Sequence, residues 1–441
     1  MLKFNHMKKA YLVRGIRSPF AKAGTDFKKV SAVELGRFAL SELLAKTNLP
    51  LTELGKLIDE VILGNTGTPS DAANISRVVA LRGGLPTSVS AYSVHRNCAS
   101  AMESVAQAAL KIEAEQADII VAGGTESMSQ MPLMYNPLAV GYFERLSRAK
   151  TLKDKITIMA QMPIQEFLKP RIALAEGLTD PFCGLNMGQT AEVLAKEFKI
   201  TRTEQDAYAL ESHQKALAAQ EAGKFKEEIA PYAIPPEYDH ILTADSGPRK
   251  GQSMEQLAKL KPYFDKKYGS VTVGNSCPIT DGSCMLLIAS EEGMQKLGNP
   301  KPLAVIKSYA FAGLEPERMG LGPVFASYKA LNKAGLKLAD MGVVEINEAF
   351  AAQVIGCLRA FESDLFCQDR FGLPGKMGSI DLSRLNPNGG AIAMGHPVGV
   401  TGSRIILTAA LEMKRRNASH ALATLCIGGG QGGAVVLEAV N

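Results

Sequence analysis

Short apolar runs alternate with helix-like stretches through the first third of the chain. Val61 to Leu63, inside Glu60-Val61-Ile62-Leu63-Gly64-Asn65, and Ile119 to Ala122, inside Asp118 to Gly124, are continuously apolar rather than alternating. Such runs suit strands covered on both faces, as in a parallel sheet flanked by helices. Ser31 to Glu34 reads as a capping box opening a helix through Leu44, and Ser100 to Glu103 as a second cap. From about Glu126 to Asn275 charged helical segments dominate. Thr190-Ala191-Glu192 begins one helix there, and Thr201 to Glu204 reads as the box of the next. Strand-like stretches return after Gly274, as in Met285 to Ala289. A second α/β series starts at Pro302, and its Met341 to Asn347 run loosely echoes Glu60 to Asn65. The pattern predicts an α/β protein of two similar halves with a mostly helical insertion.

Composition narrows the class. A chain of 441 residues, 46% hydrophobic and 21% charged, exceeds one ordinary domain and reads as globular. A net charge of +5 is too dilute for a dedicated nucleic-acid binder, so none is expected as partner. Basic residues do collect in the insertion, at Arg145, Arg148, Lys150, Lys153, Lys155, Lys169 and Arg171. They read as a solvated helical face, an anion site, or a membrane or partner surface. The 7 cysteines form no CxxC pair and the 6 histidines are scattered, so no metal site is expected and a reducing, cytoplasmic location is. The basic start, Met1 to Lys9, is not followed by a signal-type apolar stretch, because Arg14 and Arg17 interrupt. No run approaches the roughly 20 apolar residues of a transmembrane helix.

Candidate chemistry centres on Cys98. The apolar run Leu85 to Val94 leads in, and a small-residue helical pattern leads out. A thiol at a strand-to-helix turn near a helix N-terminus is expected to have a lowered pKa and to act as a nucleophile. Three later segments put polar groups where strands give way to turns: Asn347-Glu348-Ala349-Phe350, the glycine-rich Gly389 to Gly402 around His396, and Cys426-Ile427-Gly428-Gly429-Gly430. Sites in α/β sheets form at such strand ends. A nucleophilic thiolate needs a base, and His396 fits. Glycine N–H groups can stabilise charge developing on oxygen. A second thiol, Cys426, could move a proton at carbon. Together these parts suit acyl transfer coupled to making or breaking a carbon–carbon bond.

Read with Gly123 to Ser129, Met187-Gly188-Gln189-Thr190-Ala191-Glu192 and Gly395-His396-Pro397, these segments resemble the thiolase family over nearly the whole chain. The resemblance implies a five-layered αβαβα fold of duplicated halves. Residues 1–126 plus 279–301 would form the N-terminal half, 127–278 a loop domain for CoA and partner or membrane contact, and 302–441 the C-terminal half. It implies CoA-dependent cleavage of 3-ketoacyl-CoA to acetyl-CoA and a shortened acyl-CoA in fatty-acid β-oxidation, with CoA as co-substrate and no bound cofactor. The biosynthetic acetoacetyl-CoA thiolase is the alternative, and a non-catalytic acyl-binding relative a more distant one. By the resemblance Cys98 carries the acyl group, His396 activates it, and Asn347 holds a water that completes one oxyanion hole. Cys426 exchanges the α-proton, and the N–H groups of Cys98 and Gly428 form the second hole. Met187, Ser276 and Cys277 would contact substrate or CoA. Asn186 and Cys277 depart from residues common in the family. The Asn-Ser-x-Pro form of the 275–278 loop and the basic insertion are similar to the thiolase subunit of β-oxidation complexes. That likeness implies a homodimer or tetramer beside a hydratase/dehydrogenase subunit. A redox reading fails for want of a Gly-x-Gly-x-x-Gly after an early strand.

Overall fold

The computed structural model describes residues 8–47 and 49–440, so the basic start up to Met7 lies outside the described residues. Nine strands lie on one hydrogen-bonded path: β1 (Tyr11–Arg17), β2 (Glu60–Gly64), β3 (Ser90–Val94), β4 (Ile119–Glu126), β5 (Thr280–Ala289), β6 (Ala304–Gly313), β7 (Val343–Ile346), β8 (His420–Ile427) and β9 (Gln431–Glu438). Their order is β7-β8-β9-β6-β1-β5-β4-β2-β3. One plan appears twice. In the first half β1, β5 and β4 are antiparallel neighbours, and β2 and β3 then add in parallel. In the second half β6, β9 and β8 are antiparallel and β7 adds in parallel. There a single parallel bridge, Val344 to Leu385, stands where the first half has its fifth strand. β7 thus takes the place of β2, whose sequence it echoes. The halves meet edge to edge through only two residue pairs, Tyr11 with Val305 and Leu12 with Ala304.

The helices around this sheet include α1 (Ala32–Ala45), α2 (Ile75–Arg82), α3 (Ser100–Glu113), α4 (Met187–Glu197), α5 (Arg202–Glu221), α6 (Gly322–Ala334), α7 (Ala351–Glu362) and α8 (Thr401–Arg415). The period-2 alternation of strands divides the apolar runs between two cores. Val61, Leu63 and Val121 pack outward with Leu40 and Leu43 of α1 and Val79 of α2. Ile62, Ile120 and Ala122 pack inward with Met102 and Val105 of α3. In the other half Val344, Leu422 and Val436 face α6 and α7, while Val343, Ala421 and Ala423 face Ile405 and Ile406 of α8. α3 and α8 therefore form a central layer shared by both halves, and the layers run αβαβα. Each fully buried aliphatic side chain contributes about 1.5–3 kcal/mol.

Helix starts follow local chemistry. Ser31 caps α1 by accepting from the Glu34 N–H, and Thr201 with Glu204 closes a reciprocal box on α5. Two starts differ from expectation. α4 begins at Met187, three residues before Thr190, because Asn186 and Gln189 form a capping box. Ser100 does not cap α3; its hydroxyl accepts from Arg96 N–H at 2.9 Å and donates to Asn97 carbonyl at 2.7 Å, tying the preceding loop.

The insertion leaves from the end of β4 and returns into β5, where Glu126 and Gly282 stand opposite each other. A buried ion cluster fastens it down. Arg17 of β1 donates through Nε to Glu228 at 2.8 Å and through both terminal nitrogens to Asp245 at 2.7 and 2.8 Å. Glu228 also accepts from Thr408 of α8 at 3.0 Å.

Candidate active site

Cys98 sits between β3 and α3, with Asn97 before it in the left-handed region at φ 44°. Asparagine tolerates this backbone better than most side chains. Its amide donates to the Gly428 carbonyl at 2.8 Å, coupling the Cys98 turn to the turn between β8 and β9. Arg96 repeats the coupling through Gln431 at 3.1 Å and is held by Glu103 at 2.7 Å. The N–H groups of Gly428 and of Cys98 itself consequently face the Cys98 sulfur. A side chain at 428 would begin 3.3 Å from the Met187 sulfur, so Met187 lies over this turn.

The expected low thiol pKa is not found. Burial raises the Cys98 thiol above its usual value, and the two N–H groups only partly offset this. α3 starts two residues later, at Ser100, so the sulfur is not at the helix's first turn. Cys98 nevertheless keeps part of its surface accessible, whereas Cys426 is buried. Burial, then the charge of Cys98, raise Cys426 well above the thiol range. The same two causes push Cys277 up to about 12. The three thiols thus lie near enough to one another for their charges to interact.

His396 enters from the loop before α8. Gly395 precedes it at φ +105°, and a side chain there would strike Thr280 at 2.2 Å, so the approach requires glycine. His396 N–H donates to Pro278 carbonyl at 3.3 Å, next to Cys277. Burial, helped by the Arg404 charge, pushes the imidazole down to about 3, so the ring is neutral. Its Nδ1 lies 2.6 Å from Thr401 Oγ1. Its Nε2 is buried and bonded to nothing, Cys98 included, among the described residues. Asn347, at the end of β7, is fully buried, and both its amide atoms lack a partner among the described residues. Unmatched buried polar atoms are costly, so such atoms mark a place for water or ligand.

Two buried carboxylates hold the loops. Glu126 accepts from Asn65, from the N–H groups of Thr66 and Gly67, and from Gly399 N–H at 2.9 Å, fixing the His396 loop to the first half. Glu348 accepts from Ser212 at 2.6 Å, Tyr208 at 3.0 Å, Asn386 at 2.9 Å and Ile392 N–H at 3.2 Å, joining the 386–392 loop to α5. The sequence pattern gives no role to Glu126, Glu348, Asn97 or Arg96. A carboxylate closing a buried strand was the available signal.

Ser276 and Cys277 differ from simple ligand contacts. Ser276 donates its hydroxyl to Thr272 carbonyl at 2.6 Å, so only its lone pair is left for a ligand. Cys277 N–H bonds Ala349 carbonyl at 3.0 Å. Beside them opens a cavity of about 110 Å³ lined by Lys22, Arg249, His213 and Ser276. Arg202 is taken up by Asp206 and the carbonyls of Leu257 and Leu260. Lys215 is taken up by the carbonyls of Leu382 and Leu385.

Neighbouring thiols, a neutral imidazole with a free nitrogen and an orphaned carboxamide make a candidate acyl-transfer site on a duplicated α/β fold. The thiolase N-terminal domain matches residues 10–292 and the thiolase C-terminal domain residues 300–439. The chain belongs to the thiolase family. It is 39% identical over 428 residues to a 3-ketoacyl-CoA thiolase of Yersinia enterocolitica, covering 97% of this chain and 96% of that one. It is similar to the crystal structure of Bacillus anthracis acetyl-CoA acetyltransferase, with TM-score 0.84 and 36% identity over 99% of this chain and 100% of that one. It is also similar to human mitochondrial 3-ketoacyl-CoA thiolase in complex with CoA, with TM-score 0.84 and 35% identity over 99% of each.

Proposed function

We propose that the protein cleaves 3-ketoacyl-CoA with CoA, giving acetyl-CoA and an acyl-CoA two carbons shorter, in fatty-acid β-oxidation. The observation that carries this reading is that Cys98, Cys277 and Cys426 lie close enough for their charges to interact, while the buried His396 and Asn347 keep side-chain atoms with no partner among the described residues. The Cys98 proton passes to His396 Nε2 as the sulfur attacks the 3-keto carbon. The oxygen formed there faces the N–H groups of Cys98 and Gly428. The C2–C3 bond breaks, its electron pair becomes the acetyl-CoA enolate, and His396 with an Asn347-bound water holds the thioester oxygen. Cys426 protonates C2. Its raised pKa keeps it protonated for this step. A second CoA attacks the Cys98 thioester, its thiol proton restores Cys426, and Cys98 leaves as the thiol with the proton held by His396.

Met187, Cys277 and the Ser276 lone pair line the path for the CoA thiol end in this reading. Lys22 and Arg249 at the neighbouring cavity supply charge for its phosphates. CoA is a co-substrate, and the chemistry needs no bound cofactor. Replacing Cys98 by Ser should abolish thiolysis while circular dichroism and melting stay unchanged. Near-normal turnover by that variant would refute the assignment. Rates over 3-ketoacyl-CoA of graded length separate this role from acetoacetyl-CoA synthesis.

The division into 1–126 plus 279–301, 127–278 and 302–441 remains our working description, as do a homodimer or tetramer and a cytoplasmic location. A hydratase/dehydrogenase subunit is the partner we assign to the insertion. The helices Pro137–Arg148, Leu152–Ala160 and Ile164–Phe167 support this. They leave Leu138, Leu152, Ile156, Ile164 and Leu168 exposed, Leu168 by 76%, beside the basic residues. Exposed apolar patches of this kind mark interaction surfaces. Changing Leu152 and Ile156 to Ser should lower co-purification with that subunit and spare thiolysis; unchanged recovery counts against it.

A further inference from the structure

His396 meets the polar groups of the protein through a single side-chain atom. Nδ1 lies 2.6 Å from Thr401 Oγ1, and the buried Nε2 has no partner among the described residues. The Thr401 hydroxyl lies in turn 3.1 Å from Pro397 carbonyl. A hydroxyl carries one proton, and a carbonyl oxygen carries none. If that proton pointed at Nδ1, two oxygens would face each other at 3.1 Å with nothing between them. Nε2 would then hold a hydrogen, a buried donor without an acceptor. If the proton points at Pro397, both contacts have a proton and Nε2 carries a lone pair.

We propose that Thr401 is a positioning residue that fixes His396 as the Nδ1–H tautomer, so that Nε2 presents its lone pair to the pocket. The fold holds the hydroxyl for this. Thr401 is fully buried and is the first residue of α8, and its own N–H also bonds Pro397 carbonyl at 3.1 Å. A β-branched side chain has little χ1 freedom. An imidazole in water populates both tautomers, and only the one with a bare Nε2 can take a thiol proton there. The carboxylate that does this work beside many catalytic histidines is replaced here by a hydroxyl and a main-chain carbonyl. A neutral relay does not raise the basicity of the ring; it orders the ring.

The catalytic part of this inference rests on His396 being the base; the tautomer does not. ¹⁵N spectra of the resting enzyme, with His396 assigned through a His396→Gln variant, should show the proton on Nδ1. In Thr401→Val, of similar shape, Nε2–H should become populated. Thiolysis kcat should then fall by roughly 100-fold or more, the scale of a lost general base, with KM little changed. Thr401→Ser should restore both the spectrum and most of the rate. An Nε2–H signal in the wild type overturns the proposal, as does a Val variant with unchanged tautomer and rate. The expected spectra in an enzyme that lacks thiolysis would leave the tautomer assignment standing and refute the function.

Discussion

Cys98 stands under opposed forces: burial disfavours its charged form, and two backbone N–H groups favour it. The first wins, since the thiol lies above its ordinary value. His396, pushed down to about 3, cannot supply a standing positive charge beside it. The resting pair is therefore thiol and neutral imidazole, not an ion pair. Alkylation of Cys98 by iodoacetamide should keep accelerating with pH beyond the ordinary thiol range near 9. A plateau below pH 8 would reveal a low-pKa thiolate and sink this account. Three of the candidate side chains, Cys98, Asn347 and Cys426, were legible as residue types near strand ends; His396 instead follows a short helical turn, Ala391–Met394, so the strand expected before it is absent. What could not be read was their ionisation, which depends on how much protein closes over each one. Thr401 escaped for a related reason. Its contact with His396 is local, but its meaning comes from the direction of one proton, set by Pro397.

Among elements, the strands were easiest to read. Val61 to Leu63 and Ile119 to Ala122 are apolar on both faces because each face meets a different helical layer. The 190s helix was misplaced because its cap is Asn186, and asparagine also serves loops. The Arg17 cluster was invisible: its three members lie on β1 and at two distant points of the insertion. Replacing Arg17 with Met would leave Glu228 and Asp245 buried without their cation. Such a loss should destabilise the protein by about 3–5 kcal/mol. Urea midpoints measure it, and a change under about 1 kcal/mol would mean the cluster is wetter than described.

For the molecule as a whole, acid should be the weak side. His396 at about 3 and His213 at about 4 are both buried and neutral. His213 also accepts the Arg249 N–H at 3.2 Å, which a protonated Nδ1 could not do. In the unfolded chain a histidine titrates near 6.5. The unfolded state therefore takes up protons first as pH falls. The stability these rings confer is full above about 6.5 and lost on the way to 4 and 3. By pH 4.5 each should have given up about 2.5 kcal/mol. His213→Asn should remove its share of the drop between pH 7 and 4.5; an unchanged drop would exclude that ring as a cause.

Glu126 and Gly282, facing each other across paired strands, make the two stems of the insertion next-door neighbours. The sheet closes that gap whatever hangs beyond it. Under the scaling of loop entropy, doubling the excursion adds only about 0.6 kcal/mol. The excursion can therefore change length at little cost in closure entropy while the paired strands beneath it keep their register.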